Sequence, residues 1–154
     1  MRLRRIEWRD DGGQVAGLEA LPFGILIFVV GALLIANAWA VIDAKMTVTS
    51  AAREAARSYV EAPNATDGRV RADAAAREAV QAYGRSPLRA SITGPTDPDA
   101  FTRCNRVSFT VSYPVPAITL PFIGGFGHSF DVTATHSEVV DPFRNDVPGE
   151  ADCG

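Results

Sequence analysis

The sequence has few histidines and cysteines, and it lacks the common catalytic motifs. Its 154 residues include two histidines and two cysteines, and it contains no nucleophile-elbow, zinc-protease or phosphate-binding motif. The histidines, His128 and His136, would lie about 26 Å apart if one strand carried both, which is too far for them to share a metal ion. We therefore expect no enzyme activity, no cofactor and no metal site.

The sequence has no excess of positive charge. The formal net charge is −3, whereas nucleic-acid-binding domains normally present a basic face, so we expect no nucleic-acid partner. Residues 1–14 carry four arginines against three carboxylates, and the rest of the chain carries the negative excess. Because positive residues stay on the cytoplasmic side of a membrane span, residues 1–19 are predicted to form a cytoplasmic basic leader, and the protein is predicted to lie in the cell (inner) membrane.

Residues 20–42 contain no charged side chain at all. As a helix, these 23 residues would span about 34 Å, which exceeds the roughly 30 Å hydrocarbon core of a bilayer. We predict a single transmembrane helix, with the head that follows it outside the cytoplasm. The main alternative is a secretory signal peptide, because the small residues of 36–40 offer two A-x-A cleavage sites. That alternative would release a secreted binding domain, but the apolar run exceeds the usual core of about 7–15 residues.

Glycine and proline are absent from residues 43–62, which are rich in strong helix formers. One long helix is therefore predicted over 18–62, followed by a second over 67–83. Small residues recur every fourth position in the first of them, and this stripe would let another helix approach closely within the membrane. Alternatively, alanine is simply common in this chain. The stripe consists of Ala32, Ala36, Ala40 and Ala44.

After residue 86 the apolar residues alternate with polar ones, as in strands with one buried face. Three strands are predicted, and we expect the alanine-faced helices to cover their apolar side. The result is an α+β head over 43–154, with two helices followed by a small antiparallel three-stranded sheet. The predicted inward-facing residues are Leu88, Ala90 and Ile92 in the first strand, Val107, Phe109, Val111 and Tyr113 in the second, and Phe130, Val132 and Ala134 in the third.

Residues 114–127 form an apolar segment that proline and glycine keep from regular structure. An apolar loop of this kind must be covered. It can fold beneath the sheet, lie on the membrane surface or bind a partner protein. If it binds a partner, Phe122, Ile123 and Phe126 are the predicted contact residues. A membrane-tethered sensor or chaperone-like module would use the same loop.

The two cysteines are Cys104 and Cys153. The predicted topology places both in a compartment where disulfides persist. We expect an internal bridge between them, which would contribute roughly 4 kcal/mol in the chain-entropy model. The alternatives are two free thiols or a bridge to another chain.

Three stretches of the sequence resemble the TadE-like minor pilins of bacterial tight-adherence (Flp) pili. They are "GLEALPFGILIFVV" at 17–30, "TSAAREAARSYV" at 49–60 and "VSFTVSYPVPAITLPFIGGFGHSFDVTATHSE" at 107–138. The resemblance implies a non-catalytic, single-pass, pilin-like component of the pilus or its assembly machinery. Its partners would be the lipid bilayer and other pilus proteins, contacted through the membrane helix and the apolar loop.

The resemblance extends to a pilin leader, in which a peptidase cuts after glycine and a glutamate occupies the fifth mature position. That glutamate would be Glu19, whose carboxylate could pair with a neighbouring subunit's new amino terminus during assembly. Cleavage after Gly13 makes Glu19 the sixth residue, and the strict spacing requires cleavage after Gln14, where the family has glycine. Otherwise Glu19 is an ordinary acid at the membrane edge.

Overall fold

The computed structural model describes the backbone of residues 13–117 and 129–153, and the side chains from Ala20 onward. Two helices come first and are followed by an antiparallel sheet of three strands, which confirms the predicted α+β class. Short 3-10 turns precede and follow the first strand. The elements are α1 (Gly13–Val60), α2 (Ala65–Ala82), β1 (Ser91–Thr93), β2 (Arg106–Val115) and β3 (Phe130–Val139).

Helix α1 runs for 48 residues without interruption. It begins at Gly13, earlier than predicted, and Pro22 lies within it. From Ala20 to Trp39 most of its side chains are exposed, whereas its second half buries one stripe at helical spacing against α2 and the sheet. The buried residues of that stripe are Ala44, Val48, Ala51, Ala52, Ala55, Ala56 and Tyr59. Small side chains let the neighbouring elements approach the helix axis closely.

Helix α2 packs antiparallel to α1 after a short turn. Its N-cap is Asn64, whose side-chain oxygen accepts a hydrogen bond of 2.9 Å from the Asp67 N–H. This side chain satisfies one of the amide groups that a helix start leaves unpaired. Gly84, at φ +71°, follows the helix and turns the chain in a left-handed conformation that favours glycine.

The sheet has the order β1-β2-β3, and its inner face packs on the helices. Ser112 stands in register with Ser91 on one side and with Thr133 on the other. The outer face carries cross-strand hydroxyl pairs, which replace some of the water contacts of these side chains. The pairs are Ser108–Ser137 at 2.7 Å, Thr110–Thr135 at 2.8 Å and Ser112–Thr133 at 2.6 Å.

The aromatic centre of the core is Tyr59, which lies between two phenylalanine rings. Its ring centroid is 5.4 Å from that of Phe101 and 5.3 Å from that of Phe109. The α-carbon of Gly68 faces the same ring, and a Cβ there would come within 2.9 Å of Tyr59 Cδ2. The glycine therefore permits α2 to cross α1 at the tyrosine.

Two residues predicted to face inward are instead exposed. Leu88 is 88% exposed because Pro87 begins a 3-10 turn, so the first strand is shorter than predicted and starts at Ser91. Phe130 is 55% exposed at the first position of β3, where the sheet ends. In contrast, β2 continues two residues beyond Tyr113, the last of its predicted inward-facing residues, and Val115 is buried.

Candidate functional site

The stretch of α1 from Ala20 to Trp39 is the most unusual surface of the described residues. It is long and apolar enough to cross a membrane, and none of its most apolar stretch is buried within the protein. A continuous apolar surface of this size is unfavourable in water and marks a contact with lipid or protein. The helix therefore suggests single-pass membrane anchoring. Its large exposed side chains include Leu21, Phe23, Ile25, Leu26, Ile27, Phe28, Leu34, Ile35 and Trp39.

A signal sequence meets the same criterion of length and composition, so the distinction depends on how α1 continues. Ala40 and Val41 are partly buried against the core of the head, and Ala44 is fully buried in it. No helix boundary separates these residues from Trp39. We call residues 39–45 the junction, because the exposed apolar stretch and the head meet there within one continuous helix.

An ion pair joins the turn after α2 to α1 at the junction. The guanidinium of Arg85 donates a hydrogen bond of 2.6 Å to the Asp43 carboxylate, and the same nitrogen is 3.4 Å from the carbonyl oxygen of Ala40. The Arg85 side chain is 17% exposed and the Asp43 side chain 46%. Burial of one partner strengthens the attraction beyond that of a surface pair, because less water screens it.

Two further cations, Arg89 and Lys45, bind the sheet to the same region. Arg85 and Arg89 both lie over the Tyr113 ring, at 5.2 and 5.5 Å from its centroid. Arg89 also donates a hydrogen bond of 3.1 Å to the carbonyl oxygen of Pro114, near the end of β2. Lys45 donates a hydrogen bond of 2.5 Å to the carbonyl oxygen of Thr133 in β3. Strand β2 thus ends, and β3 begins, at the junction.

The alanine stripe is divided between two environments. Ala32 and Ala36 are exposed, whereas Ala40 packs against the core and Ala44 is buried within it. The chain's own head therefore covers the upper end of the stripe. Ala32 and Ala36 remain the positions at which packing by another membrane helix is a prediction.

The structure brings the two cysteines together. Cys104 and Cys153 lie at disulfide-bonding distance, with 5.1 Å between their α-carbons. The backbone of Cys104 has φ +65°, and its N–H donates to the carbonyl oxygen of Val140 at 3.0 Å. A bridge here holds the C-terminal tail against the start of β2.

Other predicted site residues lie beyond what the structure describes. Phe122, Ile123 and Phe126 fall outside the described residues. Gly13 and Gln14 lie in the first turn of α1, and Glu19 lies further along it. The side chains of these three residues are likewise outside the description.

The described part of the chain offers little catalytic geometry. Within residues 13–117 and 129–153, no group of three or more metal-binding side chains occurs. The His136 ring lies 2.9 Å from the Glu138 carboxylate on β3. A groove of about 390 Å³ between α1 and α2 includes Met46 and Tyr83 in its lining.

Sequence patterns did not identify the junction cluster of Arg85, Arg89 and Tyr113. The one signal was the position of Asp43 and Lys45 directly after the uncharged run. Compared with known proteins, the chain matches no family model, no curated protein and no solved structure.

Proposed function

We propose that the protein is a single-pass, membrane-anchored and non-catalytic pilin-like component of a tight-adherence type pilus or its assembly machinery. Residues 20–42 cross the inner membrane with the N-terminus in the cytoplasm, and the head projects from the outer side. The proposal of a pilus component rests on the sequence resemblance to TadE-like minor pilins. The anchored arrangement has structural support of its own.

The anchored arrangement rests on one observation. Helix α1 continues without a break from the apolar stretch into the core of the head. A structural subunit must transmit position and force between its anchor and its exposed domain. A flexible linker cannot do this, whereas an unbroken helix with tertiary contacts from Ala40 onward can. The junction contacts of Arg85, Arg89 and Lys45 brace the helix further.

The same observation weighs against release by signal peptidase. Cleavage after Ala38 or Ala40 would fall within α1, directly beside residues that pack on the head. Cleavage there requires local unwinding of the helix and, after Ala40, removes a residue of the interface. A secreted binding domain remains the alternative function, because the head's core lies almost wholly beyond the cleavage sites.

Carbonate extraction of membranes, followed by intact-mass measurement, tests the anchorage. We expect the full apolar segment to remain in the membrane fraction. Pilin-type processing would give a mature chain beginning at Gln14 or Val15, whereas an unprocessed chain would leave Glu19 as an interfacial acid. A soluble species beginning at residue 39 or 41 would overturn the anchored function and establish the secreted one.

Co-purification from the native membrane tests the pilus role. We propose that the apolar segment around Phe122, Ile123 and Phe126 binds other pilus components, because aromatic anchors dominate interface energies. Phe122→Ala is then expected to weaken co-purification without lowering the melting temperature. Phe143→Ala is the matched control, because Phe143 is 82% exposed elsewhere on the head. A lowered melting temperature with unchanged co-purification would assign Phe122 to the core instead.

A further inference from the structure

We infer that the end of the head at the junction is a second membrane-binding surface, which rests on the phospholipid headgroups beside the anchor. We call this surface the rim, and it consists of Lys45, Arg85, Leu88, Arg89 and Phe130. The inference rests on the proposed anchorage and goes beyond it, because an anchored head could equally stand clear of the bilayer.

The first argument is height above the bilayer. Lys45 follows Ile42, the last residue of the uncharged run, by only three positions. At 1.5 Å per residue it lies about 4–5 Å beyond the hydrocarbon edge, within a headgroup layer of roughly 5–8 Å. The turn after α2 and the sheet are both tied to this part of α1. Arg85 binds Asp43, and Lys45 binds the backbone of Thr133, three residues from Phe130.

The second argument is the rigidity of the attachment. The rim comes from four separate parts of the chain, namely α1, the turn after α2, the 3-10 turn before β1 and the start of β3. Arg85 and Arg89 share the Tyr113 ring, and Arg89 also binds the backbone of Pro114. Because these contacts cross-link the elements to α1, the anchor determines the height of the whole rim.

The third argument is the chemistry that the rim exposes. Leu88 and Phe130 are large apolar residues that are 88% and 55% exposed, although the sequence pattern predicted that both would face inward. Beside them are the exposed cations of Lys45 and Arg89, whereas Arg85 is mostly buried and supports the rim from within. Apolar side chains flanked by arginine and lysine suit the boundary between acyl chains and phosphate groups.

The acidic groups of the same region do not cancel this pattern. Asp43 is paired with Arg85, and Asp131, beside Phe130, is exposed. The Arg85–Asp43 pair has no net charge, which leaves the cations of Lys45 and Arg89 against the single carboxylate of Asp131. The excess positive charge favours a leaflet that contains anionic phospholipid. Both the position and the charge of the rim therefore favour binding to the bilayer that holds the anchor.

The experiment measures lipid contact of single spin labels on the full chain in nanodiscs containing phosphatidylglycerol. Labels are placed by Leu88→Cys and Phe130→Cys in the rim. Val70→Cys and Phe143→Cys are the matched controls, because these exposed apolar residues lie on the head away from the junction. Ile35→Cys reports on the anchor. The unsubstituted chain, with its native cysteines bridged, should take up no label.

Collision rates with oxygen, which concentrates in lipid, and with a water-soluble nickel chelate are then compared. We expect the oxygen-to-nickel ratio to be severalfold higher at positions 88 and 130 than at 70 and 143. Equal ratios at all four positions, with position 35 in lipid, would overturn the rim and leave the anchor intact. An aqueous label at position 35 would overturn the proposed anchorage together with the rim.

A charge substitution tests the role of the cations. Arg89→Gln in the chain labelled at position 88 is expected to lower the ratio in phosphatidylglycerol nanodiscs but not in pure phosphatidylcholine. Arg71→Gln, at an exposed arginine of α2, should have no effect in either. An unchanged oxygen-to-nickel ratio for Arg89→Gln in both lipids would show that electrostatic attraction does not hold the rim at the bilayer.

Discussion

Arg85 and Asp43 form a 2.6 Å ion pair at the level where the apolar stretch of α1 ends. The pair joins the turn after α2 to the first charged residue beyond the uncharged run. Tyr113 of β2 lies beneath the same guanidinium. One arginine side chain thus connects the anchor helix, the second helix and the sheet, so the head is braced where it meets the proposed membrane surface.

Replacing Arg85 by alanine should therefore destabilise the head. The Arg85 side chain is mostly buried and the Asp43 side chain about half exposed, so we expect a loss between those of surface and buried pairs, about 1–3 kcal/mol. Urea denaturation of the full chain in detergent micelles measures it. Arg71→Ala is the control, and an equal effect of both variants would show that the pair contributes nothing.

Arg144 binds the C-terminal end of α1. It donates hydrogen bonds to the carbonyl oxygens of Val60 and Glu61, the latter at 2.9 Å. These carbonyls have no partner within the helix. A cation there is also attracted to the negative end of the helix dipole. We expect Arg144→Ala to lower the free energy of unfolding by about 1–3 kcal/mol. Arg106→Ala, at an exposed end of β2, should leave the melting temperature nearly unchanged.

Gly68→Ala tests the close crossing of the two helices. A Cβ at position 68 would lie 2.9 Å from Tyr59 Cδ2 and 3.2 Å from the Tyr59 carbonyl oxygen. Overpacking of this kind costs about 1–3 kcal/mol and outweighs the gain of about 1 kcal/mol in helix propensity. Gly31→Ala is the matched helical control, because nothing lies within 4 Å of its Cβ position. A melting temperature raised by Gly68→Ala would contradict the crossing.

Tyr59→Phe should stabilise the head and change its response to alkaline pH. The Tyr59 hydroxyl is buried and has no hydrogen-bond partner among the described residues, so its removal should stabilise by about 1 kcal/mol.

Burial also raises the pKa of Tyr59. The folded state therefore favours the neutral phenol. This preference adds fully to the free energy of unfolding below the ordinary tyrosine pKa of about 10. That stability is lost as the pH rises through the folded-state pKa. The phenylalanine variant should lose less stability than the native chain above about pH 10. Tyr83→Phe, at an exposed tyrosine, is the control, and parallel pH profiles for native and Tyr59→Phe chains would refute the argument.

The cysteine pair can be tested chemically. We expect a non-reducing digest to yield a peptide joining Cys104 to Cys153, and Cys153→Ser to cost about 2–4 kcal/mol of stability. Alkylation of both thiols in fresh membranes without reductant would show instead that the cysteines are free.

Much of the architecture followed from local patterns. The uncharged run at 20–42 and the absence of glycine and proline over 43–62 predicted a long first helix, and α1 spans the first stretch and all but the last two residues of the second. The alternation around Val107 and Val111 predicted β2, because side chains of a strand point to opposite faces in turn. These features depend on neighbouring residues, so the sequence alone was sufficient to determine them.

Local patterns were insufficient where a residue's surroundings come from distant parts of the chain. Periodicity placed Leu88 and Phe130 on apolar faces, but a period does not reveal what covers a face, and both are exposed. Likewise, it could not show that the head covers Ala44 while Ala36 stays exposed. The contacts that define the junction and close α1 join residues 42 and 83 positions apart. Only the tertiary structure decided them, because such partners meet only after the helices have packed against the sheet.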